Sequence, residues 1–265
     1  MSEPTVAAYV RPEQPAAVYL EFKNEEALNA FTIDMWRSLI KHLREARKDD
    51  SKRVVVLRGA GSKAFSSGLA MQMLDNLKCD EDYALIHTLG MEVRECIFNM
   101  GKPVIAAVNG YCIGGGFEIA LCCDLVYASE DAKFALPELN IGLIPGCGGA
   151  VHLPEKIPVN RAFEMILFGE RMSADEAKSY GFVNRIFPKE SFFPEVDKLV
   201  DIIAAKAPLA VRGLKEIMSH SNLTGDESAA ILAERRLSID LMNSKDFKNA
   251  VKAFREKRTP EFKGE

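Results

Sequence analysis

The chain has 265 residues, and its 34 lysine and arginine side chains against 38 aspartate and glutamate give a formal net charge of −4. Hydrophobic residues make up 48 % and charged residues 27 %, close to the averages of globular chains, which excludes collagen-like, coiled-coil and wholly disordered classes. The strongly basic field that nucleic-acid binding requires is also missing, so a nucleic-acid partner is not expected.

The two N-terminal segments 6–10 and 16–22 alternate between apolar and polar residues, which predicts two strands joined by a turn at 11–15. Thr32 then stands where it can cap a helix. The apolar residues after it recur every three or four positions, from Ile33 onwards. The chain is therefore expected to begin with a hairpin followed by an amphipathic helix.

Nearly continuous apolar runs occupy residues 53–61, 103–110 and 124–129, with a helical stretch from Asp80 to Met100 between the first two. The first two runs end in glycine. Runs of this kind are typical of parallel strands that are covered on both faces. Because they alternate with helices, they predict an α/β fold with a largely parallel sheet.

Helix signals dominate from about Pro158 onwards. Ser173 and Glu176 form a capping box, and Pro208 and Asp226 stand where two further helices would begin. These signals predict an α/β core up to about residue 190, followed by a helical C-terminal region.

The six cysteines contain no CxxC pair, and the four histidines show no metal-ligand spacing, so no metal site is expected. The N-terminal residues carry neither the apolar core of a signal peptide nor an arginine-rich presequence. No apolar run approaches the roughly 18 residues of a membrane span. These features predict a soluble, cytoplasmic protein with reduced cysteines and no membrane partner.

The segment 102–149 carries the strongest chemical signal. A buried strand runs into Asn109-Gly110 and then Gly114–Gly116, before Glu118 opens an apolar helix. Glycines let backbone amides approach a ligand, and the free amides of a helix start stabilise negative charge. The Walker and GxGxxG patterns are absent, and Glu118 would repel a phosphate. A carbonyl oxygen that gains charge during a reaction fits this junction better.

A second carboxylate, Glu138, lies between Pro137 and Gly142 on what the sequence predicts to be an ordered loop. Two carboxylates in one partly buried site titrate apart, so one of them can carry a proton. That arrangement suits proton transfer beside an activated carbonyl. Spacing alone leaves two alternatives open: Glu118 can compensate a helix dipole, and Glu138 can be a solvated loop residue.

Together these motifs resemble the crotonase (enoyl-CoA hydratase/isomerase) superfamily. The similarity runs from roughly Ala17 to the end of the chain and is carried by residues 24–31, 53–68, 103–118, 123–129, 133–149 and 173–181. The resemblance implies a crotonase-like spiral of ββα units over residues 1–190. It also implies a helical region at 191–265 that forms homotrimers, often paired into hexamers. Members bind acyl-CoA thioesters, so coenzyme A is part of the substrate and no separate cofactor is expected.

Matching the motifs assigns roles to individual positions. The backbone amides of Leu69 and Gly115 would stabilise an enolate-like intermediate. Glu118 would activate water for attack at C3, and Glu138 would deliver a proton to C2. Isomerases of the family usually keep only the later glutamate, so the presence of both favours hydration. The residues that match family contacts to CoA or substrate are Lys63, Ser67, Gly68, Ala70, Met71, Gln72, Phe254 and Lys257.

Two departures from the family pattern bear on the acyl group. Leu69-Ala70 stands where a small residue followed by Asp is common, and Ala150–His152 replaces a common Thr-Gln-Arg. Both differences favour a branched, cyclic or aromatic acyl group over a straight chain. Other enolate chemistry remains open: double-bond isomerisation, thioester hydrolysis, C–C cleavage or decarboxylation. A non-catalytic acyl-CoA or RNA binder is the alternative outside catalysis.

Overall fold

The computed structural model describes residues 3–74, 79–224 and 227–265. Its strands are β1 (Thr5–Arg11), β2 (Gln14–Lys23), β3 (Val54–Gly59), β4 (Ala64–Ser66), β5 (Val104–Val108), β6 (Tyr111–Ile113), β7 (Leu125–Ser129), β8 (Lys133–Ala135), β9 (Met172–Ser173) and β10 (Arg185–Phe187). Its α-helices are α1 (Ile33–Lys48), α2 (Met71–Leu74), α3 (Asp80–Phe98), α4 (Gly115–Cys122), α5 (Gly149–Lys156), α6 (Val159–Phe168), α7 (Ala174–Ser179), α8 (Phe192–Ala204), α9 (Pro208–Thr224), α10 (Glu227–Asn243) and α11 (Lys245–Arg255). Short 3₁₀ helices occupy Glu25–Ala27, Glu138–Ile141 and Lys189–Ser191.

The described strands form two sheets. The large sheet has the order β1-β2-β3-β5-β7-β10, and the small sheet has the order β4-β6-β8-β9. The β1–β2 pair is the predicted antiparallel hairpin, and the pairs from β2 through β10 are parallel. Along the chain, one strand of the large sheet is followed by one strand of the small sheet three times (β3 then β4, β5 then β6, β7 then β8). This repetition confirms the α/β prediction and the crotonase-like spiral.

Both faces of the large sheet are covered, as its apolar strands predict. Helix α1 packs on one face of the sheet. Its N-cap Thr32 accepts a hydrogen bond from the Met35 amide at 3.2 Å. On the other face, Phe192, Val196 and Val200 of α8 pack against strand residues such as Tyr19. The 16-residue helix α1 therefore buries the side that its apolar spacing marked.

The C-terminal helices begin largely where the sequence predicted. Ser173 caps α7 by accepting a hydrogen bond from the Glu176 amide at 3.1 Å, and Pro208 is the first residue of α9. Asp226 lies outside the described residues. Among the described helices, none combines the length and the apolar character of a membrane span. The division at residue 190 and the trimerisation role of the C-terminal helices stay predictions.

Candidate active site

A cavity of about 440 Å³ lies at the C-terminal ends of the parallel strands of the small sheet. Its volume is within the usual size range of ligand sites. The segments that follow β4, β6 and β8 contribute Ser67, Leu69, Gly114, Gly115, Pro137 and Glu138 to its lining. Glu118 joins them from the first turns of α4. The short strands thus bring together residues that are up to about 70 positions apart in the sequence.

Two backbone segments pass very close to each other at this cavity. An added Cβ atom on Gly68, whose φ is +90°, would lie only 3.0 Å from the amide nitrogen of Gly115. The Phe31 amide donates to Gly68 O at 2.7 Å, and the Ala70 amide donates to Phe31 O at 3.0 Å. The N–H of Leu69, between these two partners, therefore points away from Phe31.

The amide of Gly115 belongs to the first turn of α4, before the first helical bond from the Glu118 amide to Gly114 O at 3.0 Å. Within the described ranges, neither this amide nor that of Leu69 has a hydrogen-bond partner. Two amides at one cavity wall are the donors that an oxygen with developing charge requires.

Glu118 is only 4 % exposed, and its carboxylate is held by backbone amides. Its Oε1 accepts hydrogen bonds from Cys147 at 2.7 Å and from Gly149 at 2.8 Å. Burial raises the pKa of Glu118, while these two amides act in the opposite direction. The side chain is therefore a fixed, partly stabilised carboxylate rather than a surface residue that only compensates the dipole of α4.

Glu138 begins the 3₁₀ helix after β8, and that helix ends at Gly142 with φ +78°, the turn that the sequence predicted. Its Oε1 lies 3.1 Å from the position of a Cβ on Gly114, and its Oε2 is buried with no hydrogen-bond partner among the described residues. Burial, reinforced by the negative charge of Glu118, raises the pKa of Glu138 to about 7. This carboxyl group is not a solvated loop side chain and is half-protonated near neutral pH.

The other residues that the sequence placed near CoA fall into two groups. Ser67, Leu69 and Met71 line the cavity. Gly68 separates Ser67 from Leu69, and Ala70 is buried beside Phe31. Gln72 lies in α2 next to Met71.

Three of the predicted CoA contacts lie away from this group. Lys63 is exposed and precedes β4, at the end of the strand opposite Leu69, where its carbonyl accepts from the Tyr111 amide at 3.0 Å. Phe254, 86 % exposed, and Lys257 lie at the end of α11 and are not among the cavity-lining residues. Their contact with CoA stays a prediction that needs a neighbouring subunit.

The sequence pattern missed several residues that line the cavity. Trp36 belongs to the apolar spacing of α1, and its Cζ2 lies 3.5 Å from the Cβ position of Gly115. The remaining additions come from α3, from the end of β6, and from the 3₁₀ helix and loop that begin at Glu138, and they are Ile86, His87, Ile113, Asn140, Ile141, Leu143, Ile144, Gly146 and Cys147. The sequence patterns assigned no role to these positions, because long-range packing brings them to the site.

One sequence expectation needs correction. Ala150–His152 was expected to bear on the identity of the acyl group, but none of these residues lines the cavity. His152 is 5 % exposed, and its Nε2 accepts a hydrogen bond from Arg94 Nε at 2.8 Å. Of the two departures from the family pattern, only Leu69-Ala70 reaches the cavity, through Leu69.

Comparisons with known proteins agree with the sequence and the fold. Residues 13–265 match the family model for enoyl-CoA hydratase/isomerase. A carnitinyl-CoA dehydratase of Proteus mirabilis is 38 % identical over 222 residues, which are 82 % of this chain and 84 % of that protein. The carnitinyl-CoA dehydratase of Escherichia coli O157:H7 is 37 % identical over the same length and shares.

Solved structures show the same fold. The crystal structure of an enoyl-CoA hydratase from Bacillus anthracis superposes with a TM-score of 0.94 at 32 % identity, and the match covers 98 % of this chain and 100 % of that one. An enoyl-CoA hydratase from Mycobacterium smegmatis gives a TM-score of 0.91 at 31 % identity, covering 98 % and 99 % of the two chains.

Proposed function

This chain belongs to the enoyl-CoA hydratase/isomerase family, and we propose that it is a hydratase-type lyase acting on the C2=C3 double bond of an enoyl-CoA thioester. The observation that carries the proposal is the presence of Glu118 and Glu138 at one cavity, beside the free amides of Leu69 and Gly115. An acid, a base and an oxyanion site are the groups that water addition next to a thioester carbonyl requires.

In the proposed reaction, the thioester oxygen accepts hydrogen bonds from the amides of Leu69 and Gly115. These donors polarise the carbonyl and withdraw electrons from the conjugated double bond, so that C3 becomes electrophilic. Negative charge accumulates on the thioester oxygen as the enolate forms. Both donors are backbone groups held by β4 and α4, so little reorganisation accompanies the charge development.

The different surroundings of the two glutamates support a division of labour. Glu118 is oriented by the Cys147 and Gly149 amides. It removes a proton from a water molecule while the oxygen of that water bonds to C3. Glu138, with a pKa raised to about 7 and an unpartnered Oε2, gives its proton to C2. Dehydration follows the same path in reverse, with Glu138 as the base and Glu118 as the acid.

The cavity also bears on the acyl group. Its walls include Ile86, Leu143 and Ile144, and among the described lining residues Glu118 and Glu138 are the only acidic side chains while lysine and arginine are absent. An apolar or cationic acyl group fits this lining better than an anionic one. The similarity to the carnitinyl-CoA dehydratases therefore makes carnitinyl-CoA a specific candidate beside branched, cyclic and aromatic enoyl thioesters.

A panel of thioesters tests the proposal. The protein is incubated with straight-chain, branched, cyclic and aromatic enoyl-CoA and with carnitinyl-CoA, and the products are weighed by mass spectrometry. Gain or loss of one water by the wild type, absent from the Glu118→Gln/Glu138→Gln double variant, supports the lyase. An unchanged mass with a shifted double bond indicates isomerisation. Release of free CoA indicates hydrolysis, release of carbon dioxide indicates decarboxylation, and a shorter acyl-CoA with a separate carbon fragment indicates C–C cleavage.

A further inference from the structure

A second cavity, of about 240 Å³, lies at the N-terminal ends of β3 and β5, whereas the active-site cavity follows the C-terminal ends of the small-sheet strands. Four segments form its walls: residues 50–53 before β3, residues 101–102 before β5, residues 203–212 around the start of α9, and residues 263–264 near the C-terminus. We call this cavity the basic pocket.

Positive charge is concentrated in the basic pocket, although the chain as a whole carries a net charge of −4. Its cationic lining residues are Lys52, Arg53, Lys102, Lys206, Arg212 and Lys263. Asp50 is the only acidic side chain among the described residues that line it. The basic pocket therefore has a large excess of positive charge, and none of these cations lines the active-site cavity.

Carbonyl groups, rather than carboxylates, hold three of these cations. Lys102 Nζ donates to the carbonyls of three residues at the end of α1, at 2.6 to 3.3 Å. Lys52 Nζ donates to Pro15 O at 2.8 Å, and Arg53 donates to the carbonyls of Ala204 and Phe262. Carbonyl acceptors satisfy hydrogen bonds but carry no net charge, so the positive field of the pocket remains.

The one carboxylate in the pocket is a weak counterion. Arg212 lies 3.6 Å from Asp50, with the two side chains 54 % and 86 % exposed, and pairs of this kind contribute little. Lys206 and Lys263 are exposed and form no ion pair within 4 Å among the described residues, although the Glu265 carboxylate is close enough to Lys263 to interact with its charge. These two lysines can turn towards an anion, and Arg212 can do so by giving up its weak pair with Asp50.

The start of α9 forms part of the wall of the basic pocket. Pro208 has no N–H, and the first helical bond runs from the Val211 amide to Ala207 O at 3.0 Å. The amides of Leu209 and Ala210 therefore lie in the first turn of a 17-residue helix, where the helix dipole favours negative charge. Of these two residues Leu209 lines the basic pocket, so the amino-terminal end of α9 lies beside its cations.

We propose that the basic pocket binds a small anion with two linked phosphate groups, in contact with Lys206, Lys263 and Arg212. A single phosphate would leave much of the positive charge unpaired. Two linked phosphates pair more of it and are small enough for the cavity. No aromatic side chain occurs among the described lining residues, so the pocket lacks the stacking platform of a single-stranded nucleic-acid site. The anion joins the C-terminal segment to the core and stabilises the folded chain.

Isothermal titration with inorganic diphosphate tests this assignment. The wild type is compared with Lys206→Ala/Lys263→Ala and with Lys178→Ala/Lys248→Ala, a control that removes the same charge from exposed positions on α7 and α11. We expect one site per chain, an affinity at least about tenfold weaker in the pocket variant, and no change in the control. Thermal unfolding with diphosphate should show a raised Tm for the wild type and the control only.

Further titrations identify the chemical group that binds and the site at which it binds. Binding of ADP with an affinity similar to that of diphosphate would assign the diphosphate group itself, and citrate serves as a carboxylate of comparable charge that should bind more weakly. Equal affinity of wild type and pocket variant overturns the proposal, as does the absence of saturable binding to the wild type. A loss of affinity in Lys63→Ala alone would place the anion at the CoA site instead. Tighter binding of single-stranded RNA, with a steep salt dependence, would assign the surface to nucleic acid.

Discussion

The amide nitrogen of Gly115 lies 3.0 Å from the place where a Cβ atom on Gly68 would stand. This approach brings the Gly68–Leu69 and Gly114–Gly115 segments together, and a side chain on Gly68 would push them apart. The same added atom would lie 2.9 Å from Ile113 O, so the neighbour that must move is backbone. The pair of amides that is proposed to hold the thioester oxygen thus depends on a residue without a side chain.

We expect Gly68→Ala to lower kcat/KM by about 10² or more, because displaced amides no longer fit the oxyanion. Gly181→Ala is the matched control. Gly181 has a similar φ of +85°, but nothing lies within 4 Å of its added Cβ. Both variants should lose about 1 kcal/mol of unfolding free energy from backbone strain, and Gly68→Ala should lose more because its Cβ atom also meets backbone atoms. Equal kcat/KM values for the two folded variants would show that the geometry of the oxyanion site does not depend on Gly68.

Glu118→Gln should reduce kcat/KM by about 10²–10⁴ with little loss of fold, because the amide oxygen of glutamine can still accept from Cys147 and Gly149 but cannot take a proton. Steady-state kinetics and circular dichroism measure the two effects. Glu190→Gln, an exposed position in the 3₁₀ helix before α8, is the control and should retain full activity. A Glu118→Gln enzyme with wild-type rate would remove Glu118 from the mechanism.

The pH dependence of hydration reports on Glu138. Its proton is needed for transfer to C2, and its pKa is about 7, so kcat/KM for hydration should fall as the pH rises above about 7. In the dehydration direction Glu138 acts as the base, and the rate should instead fall below about pH 7. Glu138→Gln should abolish this titration along with most of the rate. A profile that is flat between pH 6 and pH 9 in both directions would contradict the assignment.

The buried ammonium of Lys215 connects α9 to the core. Its Nζ donates to Asp124 Oδ2 at 2.6 Å and to Ile97 O at 2.8 Å. Lys215→Met removes these donors and leaves a partly buried carboxylate, so we expect a loss of about 3 kcal/mol in unfolding free energy by urea titration. Lys198→Met, at a position that is 67 % exposed, should change it by less than about 1 kcal/mol. Similar values for the two variants would show that Lys215 is not an anchor.

Local rules predicted much of the fold. Thr32 and Ser173 cap helices as expected, and β3 and β5 are buried on both faces as their apolar runs indicate. The sequence did not mark β4 or β6, because three-residue strands are too short for a period to appear.

Local sequence patterns also identified only part of the active site. Both glutamates stand at glycine-rich junctions that the sequence could identify, and the resemblance to a known family gave them roles. His87 and Ile144 reach the cavity only through the packing of α3 and of the loop after Glu138, which no local pattern encodes. The predicted contact of Phe254 with CoA depends on a neighbouring subunit, which local sequence patterns do not describe.

Water labelled with ¹⁸O tests the proposed hydration most directly. Each enoyl-CoA of the panel is incubated in labelled water with the wild type and with the Glu118→Gln/Glu138→Gln variant. We expect the wild type to yield a 3-hydroxyacyl-CoA with one ¹⁸O at C3 and the double variant to yield almost none. Labelled hydroxyl in the product of the double variant at the wild-type rate would contradict the proposal, and so would a wild type that leaves every thioester of the panel without added oxygen.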